Sequence, residues 1–396
     1  MSPRWRIIAL ILSAQTVANV GPLGIPAIAS LVRADLGLTL AQAGSFLSAY
    51  YVGPSLMSLP AGALADRWGV KRVLVLGQAV IAVGLLAVSA STSYAMLAVL
   101  MVCAGFGYGL LNPTSTKAVM SWSPPAQRAT LVGLKQVGLP FGGMVGAALL
   151  PALAVALGWR TAVVVSAGLI ALGALATLAI YRDPPDAPLP PAAPGSRGVV
   201  VTVLASRDLW LLSVATAVFA AMQTVWMAFL VLYLQEVVGL TLLAASRYLA
   251  IAQFGGMAGR VLFGMMSDRL FGGRRRAPLL LAGASSAACT VAIAWTGAGA
   301  GGAWLTALAV VFGVVGIGWN GVQHTWMAEL AGPRAAGTAV GLGLAISSLG
   351  VTVGPIAFGH AVTAAEGFRG PWIALAATMV AALGLLALVR EPRRAG

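Results

Sequence analysis

The chain has 396 residues, of which 59% are hydrophobic and only 9% are charged, and its mean hydropathy is +0.93. Soluble domains carry about 25% charged residues. This composition therefore excludes an ordinary soluble globular protein and favours helices that span a membrane. The formal net charge of +14 would suit a nucleic-acid-binding protein, but the positions of the basic residues, given below, argue against that class.

Twelve apolar segments predict twelve membrane helices, which we number from first to twelfth. The predicted spans are 7–32, 40–64, 73–91, 94–119, 129–156, 160–181, 208–235, 241–266, 278–297, 303–328, 336–363 and 371–389. The first is too long for the core of a cleaved signal peptide, which is about 7–15 residues. The two cysteines, Cys103 and Cys289, both lie in apolar segments, so no disulfide framework is expected.

The basic residues lie mainly on one side of the predicted membrane. The termini and the even-numbered loops hold seventeen Lys and Arg, whereas the odd-numbered loops and the helix ends beside them hold four. This asymmetry predicts that both termini are cytosolic in a multi-pass protein of the cell (inner) membrane. The positive charge is then a topology signal, and nucleic acid is not an expected partner.

A proline-rich segment divides the chain. Six prolines between Pro184 and Pro194 exclude a membrane helix there and predict an extended linker. We therefore predict an N-terminal six-helix bundle at residues 1–181, a cytosolic linker at 182–207 and a C-terminal six-helix bundle at 208–396.

The two halves of the sequence are related. At an offset of 202, Gly53 and Asp66 coincide with Gly255 and Asp268. The pairs at an offset of 208 include Gly105 and Gly313, Asn112 and Asn320, Gly142 and Gly350, and Gly146 and Gly354. Because six is an even number, both halves enter the membrane in the same sense. The sequence thus predicts an all-α integral membrane protein with two parallel six-helix repeats.

A charged motif follows the second helix, and a shorter copy follows the eighth. The first consists of Gly62, Asp66, Arg67, Gly69, Lys71 and Arg72, and the second of Gly264, Asp268 and Arg269. The motif resembles the signature loop of the major facilitator superfamily. Helix count, linker and glycine-rich fifth and eleventh helices extend this resemblance over the whole chain. It implies a transporter that works by alternating access.

The same resemblance implies gating roles for Asp66 and Arg67, and, through the repeat, for Asp268 and Arg269. A carboxylate at a helix end can engage a neighbouring helix or an arginine in one state and release it in another. Anchoring by positive charge at the cytosolic face is the alternative role for the basic residues of the loop.

The charges predicted to lie inside the membrane are all cationic. The ten carboxylates lie in loops, in tails or at helix ends, while Lys117, Lys135 and Arg260 lie within helices. Cationic drugs and many proton-coupled carriers of the superfamily need a buried carboxylate, so this pattern favours an anionic substrate. Lys117 is close enough to a helix end to reach the interface by snorkelling.

Arg260 is the strongest candidate for an anion contact. It lies eight residues before Asp268, so it is about 12 Å from the end of the eighth helix, and its planar guanidinium suits a carboxylate. Its position resembles that of the eighth-helix arginine of monocarboxylate, oxalate–formate and nitrate carriers, which implies substrate binding. The first-half counterpart is Ser58, whereas nitrate carriers have two such arginines. Lys135, in the fifth helix, is predicted to add a second positive charge.

Polar side chains recur at a spacing of four on helices that line the cavity in this family. The pairs are Gln15 and Asn19, Asn112 and Thr116, and Asn320 and His324. Residues four apart share a helix face. We predict that Gln15, Asn19, Tyr50, Asn112 and Asn320 contact substrate, with hydrogen bonding between helices as the alternative. Further candidates for the cavity lining are Tyr51, Gln223, Trp226 and Gln253.

His324 is the candidate for carrying a proton, because no carboxylate is predicted inside the membrane and imidazole titrates near neutral pH. A neutral hydrogen-bonding role is the alternative. His360 is predicted to be structural.

Glycine-rich stretches occur in the fifth and eleventh helices. They run from Gly138 to Gly146 and from Gly350 to Pro355, and they partly resemble the antiporter motif of drug exporters. We interpret them as surfaces for close helix packing.

Together these features predict a secondary active transporter of a small organic anion, most simply a monocarboxylate, by proton symport or anion exchange. A multidrug/proton efflux antiporter is the alternative. The sequence shows no nucleotide-binding loop, metal-ligand cluster or nucleophile–base pair, so we predict neither an enzyme nor a cofactor or metal. The expected partners are the small anion, protons and the lipid bilayer, and a monomer is expected.

Overall fold

A computed structural model describes residues 3–124, 127–183, 197–332 and 335–391. Within these ranges, the side chains of residues 3, 58–59, 62–63, 66, 128–130 and 197–200 are not described. All of the regular secondary structure in the described ranges is helical. The first eight α-helices are α1 (Pro3–Gly24), α2 (Ala29–Leu36), α3 (Leu40–Gly44), α4 (Phe46–Trp68), α5 (Val70–Ser89), α6 (Tyr94–Ser121), α7 (Arg128–Leu157) and α8 (Trp159–Ile180). The others are α9 (Arg197–Ala205), α10 (Arg207–Glu236), α11 (Leu242–Met265), α12 (Arg276–Ala294), α13 (Gly302–Phe312), α14 (Asn320–Ala331), α15 (Ala336–Ala364) and α16 (Arg369–Ala387).

These helices confirm the predicted fold class. Eleven helical stretches of the described residues are long and apolar enough to cross a membrane, and α3 with α4 occupies the second predicted span. The first span joins α1 to α2 through a 3₁₀ turn at Ile25–Ile28, where Pro26 lacks a backbone donor. π-helical turns at Met266–Leu270 and Gly313–Ile317 extend α11 and join α13 to α14.

Part of the predicted linker at 182–207 is helical in the structure. Helix α9 begins at Arg197 and ends at Ala205, and a single residue, Ser206, separates it from α10. This stretch lacks proline and is rich in valine, so it can form the backbone hydrogen bonds that the proline-rich stretch cannot. Pro184–Pro194 lies outside the described residues.

Contacts divide the chain into two compact units. The first comprises Met1–Leu189, Met227–Glu236 and Leu240–Ala250, and the second comprises Pro190–Trp226, Val237–Gly239 and Ile251–Gly396. The first unit therefore includes the last ten residues of α10. There, Arg33 forms a salt bridge with Glu236, and a side chain at Gly44 would overlap the ring of Phe229.

In the first unit, glycines bring helix backbones into direct contact. A Cβ atom at Gly142 of α7 would overlap the carbonyl oxygen of Thr16 in α1, and one at Gly105 of α6 would overlap that of Tyr50 in α4. Only glycine permits this approach. Packing of α1 against α7 and of α4 against α6 therefore shapes the first unit.

The second unit repeats these contacts at the matching positions. A Cβ atom at Gly350 of α15 would overlap the carbonyl oxygen of Ala217 in α10, and one at Gly313 would overlap that of Ala252 in α11. Gly350 and Gly313 are the repeat mates of Gly142 and Gly105. The sequence repeat is therefore also a repeat of helix packing.

Candidate functional site

Lys135 is the centre of a polar cluster in the first unit. Its side chain is 1% exposed, and its ammonium donates hydrogen bonds to Asn112 Oδ1 at 2.7 Å, Thr116 Oγ1 at 3.0 Å and the Asn112 carbonyl oxygen at 3.1 Å. These three acceptors are neutral. The structure thus joins two predicted binding residues, Lys135 and Asn112, and shows that both members of the Asn112–Thr116 pair face α7.

The cluster continues through α6 to α1. The Asn112 carbonyl oxygen also accepts from the hydroxyls of Ser115 and Thr116, at 2.9 and 3.0 Å. Ser115 in turn donates to Gln15 Oε1 at 3.4 Å, and Gln15 Nε2 donates to the Tyr108 hydroxyl at 3.0 Å. One hydrogen-bonded chain therefore links α1, α6 and α7 inside the first unit.

Two other predicted binding residues have polar atoms without a partner among the described residues. The side-chain amide of Asn19 donates to the Gln15 carbonyl oxygen at 2.7 Å, but its Oδ1 atom accepts no hydrogen bond from the described residues. The Tyr50 hydroxyl likewise forms no hydrogen bond with them. Both residues are fully buried. The Tyr50 ring lies 6.0 Å from that of Tyr108 and 5.6 Å from that of Tyr51. A buried polar group without a partner is costly, so these atoms are suited to a ligand or to water.

In the second unit, Asn320 belongs to a smaller amide cluster. Gln223 Oε1 accepts from Trp319 Nε1 at 3.1 Å and from Asn320 Nδ2 at 3.3 Å. Trp226 is a packing residue, because its ring stacks on Phe312 with centroids 3.8 Å apart.

The two units share one hydrogen bond at matching repeat positions, but only the first has a buried lysine. Gln323 Nε2 donates to Thr216 Oγ1 at 3.4 Å, which matches the contact between Ser115 and Gln15 because Gln323 is the repeat mate of Ser115. The repeat mate of Lys135 is Gly343. The buried ammonium is therefore a feature of the first unit, without a counterpart at that position in the second.

Arg260 and His324 lie within electrostatic range of each other in the second unit. Both are partly buried, and the guanidinium is close enough to act electrostatically on the imidazole. His324 is the repeat mate of Thr116, the residue that contacts Lys135. The two units thus have a cation near this repeat position. In the first, Lys135 of the fifth span donates a hydrogen bond to Thr116. In the second, Arg260 of the eighth span acts on His324 electrostatically.

Gln253 has no hydrogen-bond partner among the described residues, although it is fully buried. Neither Oε1 nor Nε2 forms a hydrogen bond. Gln253 lies seven residues before Arg260 in α11, so the two side chains share a face of that helix.

The predicted gating residues occupy helix ends. Asp66 lies near the end of α4, and its side chain lies outside the description; Arg67 is exposed. Arg269 is exposed and borders an apolar cavity of about 480 Å³ with Leu262 and Leu281. Asp268 accepts a hydrogen bond from Arg275 Nη1 at 2.5 Å.

Arg275 organises this end of the second unit. It also pairs with Glu329, whose Oε1 lies 2.9 Å from Nη2. Burial alone would lower the pKa of Arg275, but the hydrogen bonds to Glu329 and Asp268 outweigh it and raise the pKa above its ordinary value. The guanidinium therefore remains charged and ties α12 to the ends of α11 and α14.

Sequence reasoning missed several members of these clusters. Tyr108 lies four residues before Asn112, so the same periodicity could have identified it. Arg275 was not among the predicted site residues, and the run of three arginines at 274–276, a few residues after Asp268, was the available signal. No sequence signal distinguished Glu329 from other carboxylates at helix ends.

The helices of the described residues form a multi-pass membrane bundle with polar and cationic side chains inside it. The family model of the Major Facilitator Superfamily matches residues 8–355. The chain belongs to this superfamily, as the charged loop had indicated.

Comparison with known proteins agrees with this assignment. An uncharacterized MFS-type transporter of Mycobacterium tuberculosis is 27% identical over 362 residues, which cover 91% of this chain and 80% of the relative. A probable sulfoacetate transporter of Cupriavidus necator is 26% identical over 270 residues, which cover 64% of this chain and 63% of the relative. The solved structure of a bacterial homolog to the human lysosomal transporter Spinster has a TM-score of 0.84, at 20% identity and 98% coverage of this chain and 97% of the other. That likeness concerns the fold.

Proposed function

We propose that this protein carries a small organic anion, most simply a monocarboxylate, across the membrane. The observation that supports this most directly is the placement of two cations inside membrane spans, Lys135 within a polar cluster and Arg260 within electrostatic range of His324. A charged side chain there costs about 2.5–3.5 kcal/mol on insertion scales, and a bound anion offsets that cost. The relative named as a sulfoacetate transporter is consistent with an anionic substrate.

Arg260 is the proposed first contact for the anion. Its guanidinium offers five N–H donors in a planar fork, so it can bind a carboxylate through two of them while others donate elsewhere. Lys135 is proposed to supply positive potential and to hold Asn112 in place, because its ammonium already donates to three acceptors.

The proposed coupling is proton symport, with His324 as the proton carrier and anion exchange as the alternative. The positive charge of Arg260 opposes a second positive charge on the neighbouring imidazole. An anion bound at Arg260 would offset this repulsion, so substrate and proton would each favour binding of the other.

The remaining features of the proposal concern orientation and movement. The protein would lie in the cell (inner) membrane as a monomer with both termini in the cytosol and would work by alternating access. The pairs Asp66–Arg67 and Asp268–Arg269 would serve as gates at the cytosolic ends of α4 and α11.

Substitution of Arg260 tests the binding site. Purified variants with Arg260→Ala and Arg260→Lys should bind organic anions at least tenfold more weakly than the wild type, since lysine keeps the charge but not the bidentate fork. Binding would be measured as ligand-dependent rise in melting temperature against a panel of carboxylates and lipophilic cations. Arg369→Ala is the matched control, because Arg369 lies at the start of α16, where its guanidinium stacks on the ring of Trp295.

Uptake into vesicles with an imposed pH gradient completes this experiment. His324→Gln should still exchange the anion but should lose accumulation driven by the gradient. If Arg260→Ala binds and transports like the wild type, the proposed site is wrong. If only lipophilic cations stabilise the protein, the proposed substrate class is wrong.

A further inference from the structure

Four polar residues recur at intervals of seven along α11 and the π-helical turn that extends it. They are Ser246, Gln253, Arg260 and Ser267. Seven residues return an α-helix to within about 20° of the same direction and advance it by about 10.5 Å. Ser246, Gln253 and Ser267 are buried, and Arg260 is partly buried.

The other side of this helix is apolar and exposed. Phe254, Val261, Leu262 and Met265 are each at least 46% exposed in the protein, as expected for side chains that contact lipid. The four polar residues therefore lie on the side that faces away from the hydrocarbon, where polar groups can meet protein, water or a ligand.

The two outer residues of this polar face are engaged locally. Ser246 donates to the Leu243 carbonyl oxygen at 3.2 Å, and Ser267 donates to that of Arg274 at 3.0 Å. Gln253 differs, because both polar atoms of its amide are buried and lack a partner among the described residues. A buried amide in that state is destabilising. A ligand that supplies partners for both amide atoms would remove this cost.

We infer that Gln253 and Arg260 form a two-point recognition site for an anion that carries a hydroxyl group remote from its carboxylate. This inference rests on the proposed function, in which Arg260 binds the carboxylate. It narrows the substrate class from monocarboxylates in general to hydroxylated ones.

The chemistry of the amide selects the second group. Gln253 offers both N–H donors and a carbonyl acceptor, and a hydroxyl can accept from the one and donate to the other. A second carboxylate only accepts, so it would leave Oε1 facing negative charge. A methyl group would leave both amide atoms without a partner. The expected order of affinity is hydroxy acid, then diacid, then unsubstituted acid.

The spacing sets the size of the substrate. The two residues are about 10.5 Å apart along the helix, and the longer arginine side chain leans back toward Gln253, because helical side chains point toward the N-terminus. An extended chain advances roughly 1.2 Å per bond. About six bonds would therefore span the distance that remains between the guanidinium of Arg260 and the amide of Gln253. Short acids such as acetate would reach only one of the two groups.

The test is a binding screen of the full-length purified protein with matched ligands. Unbranched carboxylates of about four to eight carbons would be compared as the plain acid, the acid with a terminal hydroxyl and the diacid. We expect the wild type to bind the best hydroxy acid about tenfold more tightly than its parent acid. In Gln253→Leu, this ratio should fall to near one while affinity for the parent acid is kept, because leucine removes only the amide.

Gln78→Leu is the matched control variant. Gln78 is also a fully buried glutamine of a membrane helix, but its amide donates to Thr177 Oγ1 at 3.0 Å. Its replacement should lower stability without changing the ratio between hydroxy acid and parent acid. A ratio that changes equally in both variants would show that the effect is structural and would overturn the inference.

The remaining outcomes separate this inference from the proposed function. If carboxylates bind and depend on Arg260, but the hydroxyl gives no advantage or Gln253→Leu keeps it, the two-point site is wrong and the anion carrier stands. If the protein binds no carboxylate, both are wrong.

Discussion

Buried polar residues of this transporter are of two kinds, and the difference is visible at single side chains. Lys135, Asn112 and Gln15 have their hydrogen bonds supplied within the first unit. Asn19 and Gln253 retain buried atoms without a partner among the described residues. The first kind has its hydrogen bonds supplied by the protein, whereas the second could still gain hydrogen bonds from a ligand or from water.

Asn112 offers a test of how the buried ammonium is held. Asn112→Leu removes the 2.7 Å acceptor of Lys135 and should cost about 1.5–3 kcal/mol of stability, the usual value for a hydrogen bond to a charged group. Adding Lys135→Met should restore part of this loss, because the uncompensated charge is removed as well. The measurement is thermal unfolding in detergent, combined as a double-mutant cycle.

The repeat mate supplies the comparison for this cycle. Asn320 donates to neutral Gln223, so Asn320→Leu should cost only about 1 kcal/mol. The expectation would be wrong if Asn112→Leu and Asn320→Leu lower stability equally and if adding Lys135→Met to Asn112→Leu restores none of it. The hydrogen bond between Asn112 and Lys135 would then contribute little to stability.

At the scale of helices, glycines determine which elements can touch. Sequence analysis interpreted the glycine-rich stretches of the fifth and eleventh spans as packing surfaces. In the structure, Gly142 contacts the backbone of α1 and Gly350 that of α10. The contacted atoms are carbonyl oxygens, which cannot move aside as a flexible side chain can.

Substitutions within α7 and α15 test this packing. Gly142→Ala and Gly350→Ala should each lower stability by about 1–3 kcal/mol, because the added methyl group forces two backbones apart. The matched controls are Gly133→Ala and Gly341→Ala in the same two helices, where an added Cβ meets no atom within 4 Å. Those variants should be neutral or gain up to about 1 kcal/mol from the higher helix propensity of alanine.

Melting temperatures of the four variants decide the matter. If the control variants lose as much stability as Gly142→Ala and Gly350→Ala, close packing is not what these glycines provide. Their contribution would then be helix flexibility.

At the scale of the whole molecule, orientation in the membrane remains a prediction from the basic residues. Thr92 and Arg274 lie in exposed loops that are predicted to be outside and inside the cell, respectively. In a variant lacking Cys103 and Cys289, a cysteine at Thr92 should react with an impermeant thiol reagent in intact cells, whereas one at Arg274 should react only after lysis. The reverse pattern would invert the proposed topology.

Much of the architecture follows from the sequence alone. Apolar segments of about 20 residues must be helical in a membrane, because the hydrocarbon offers no partner for backbone groups. The offsets between the halves predict the repeat, since matching glycines imply matching close contacts. The intramembrane cations could also be identified, because charges are rare in such segments.

Only the tertiary structure decided which polar groups meet. A helical period shows that Asn112 and Thr116 share a face, but not that this face meets Lys135, which is remote in sequence. The spacing of Gln253 and Arg260 is likewise visible in the sequence, whereas the lack of a partner for the Gln253 amide is not. Whether a buried polar atom is satisfied depends on neighbours brought in by other helices, and that is a property of packing in three dimensions.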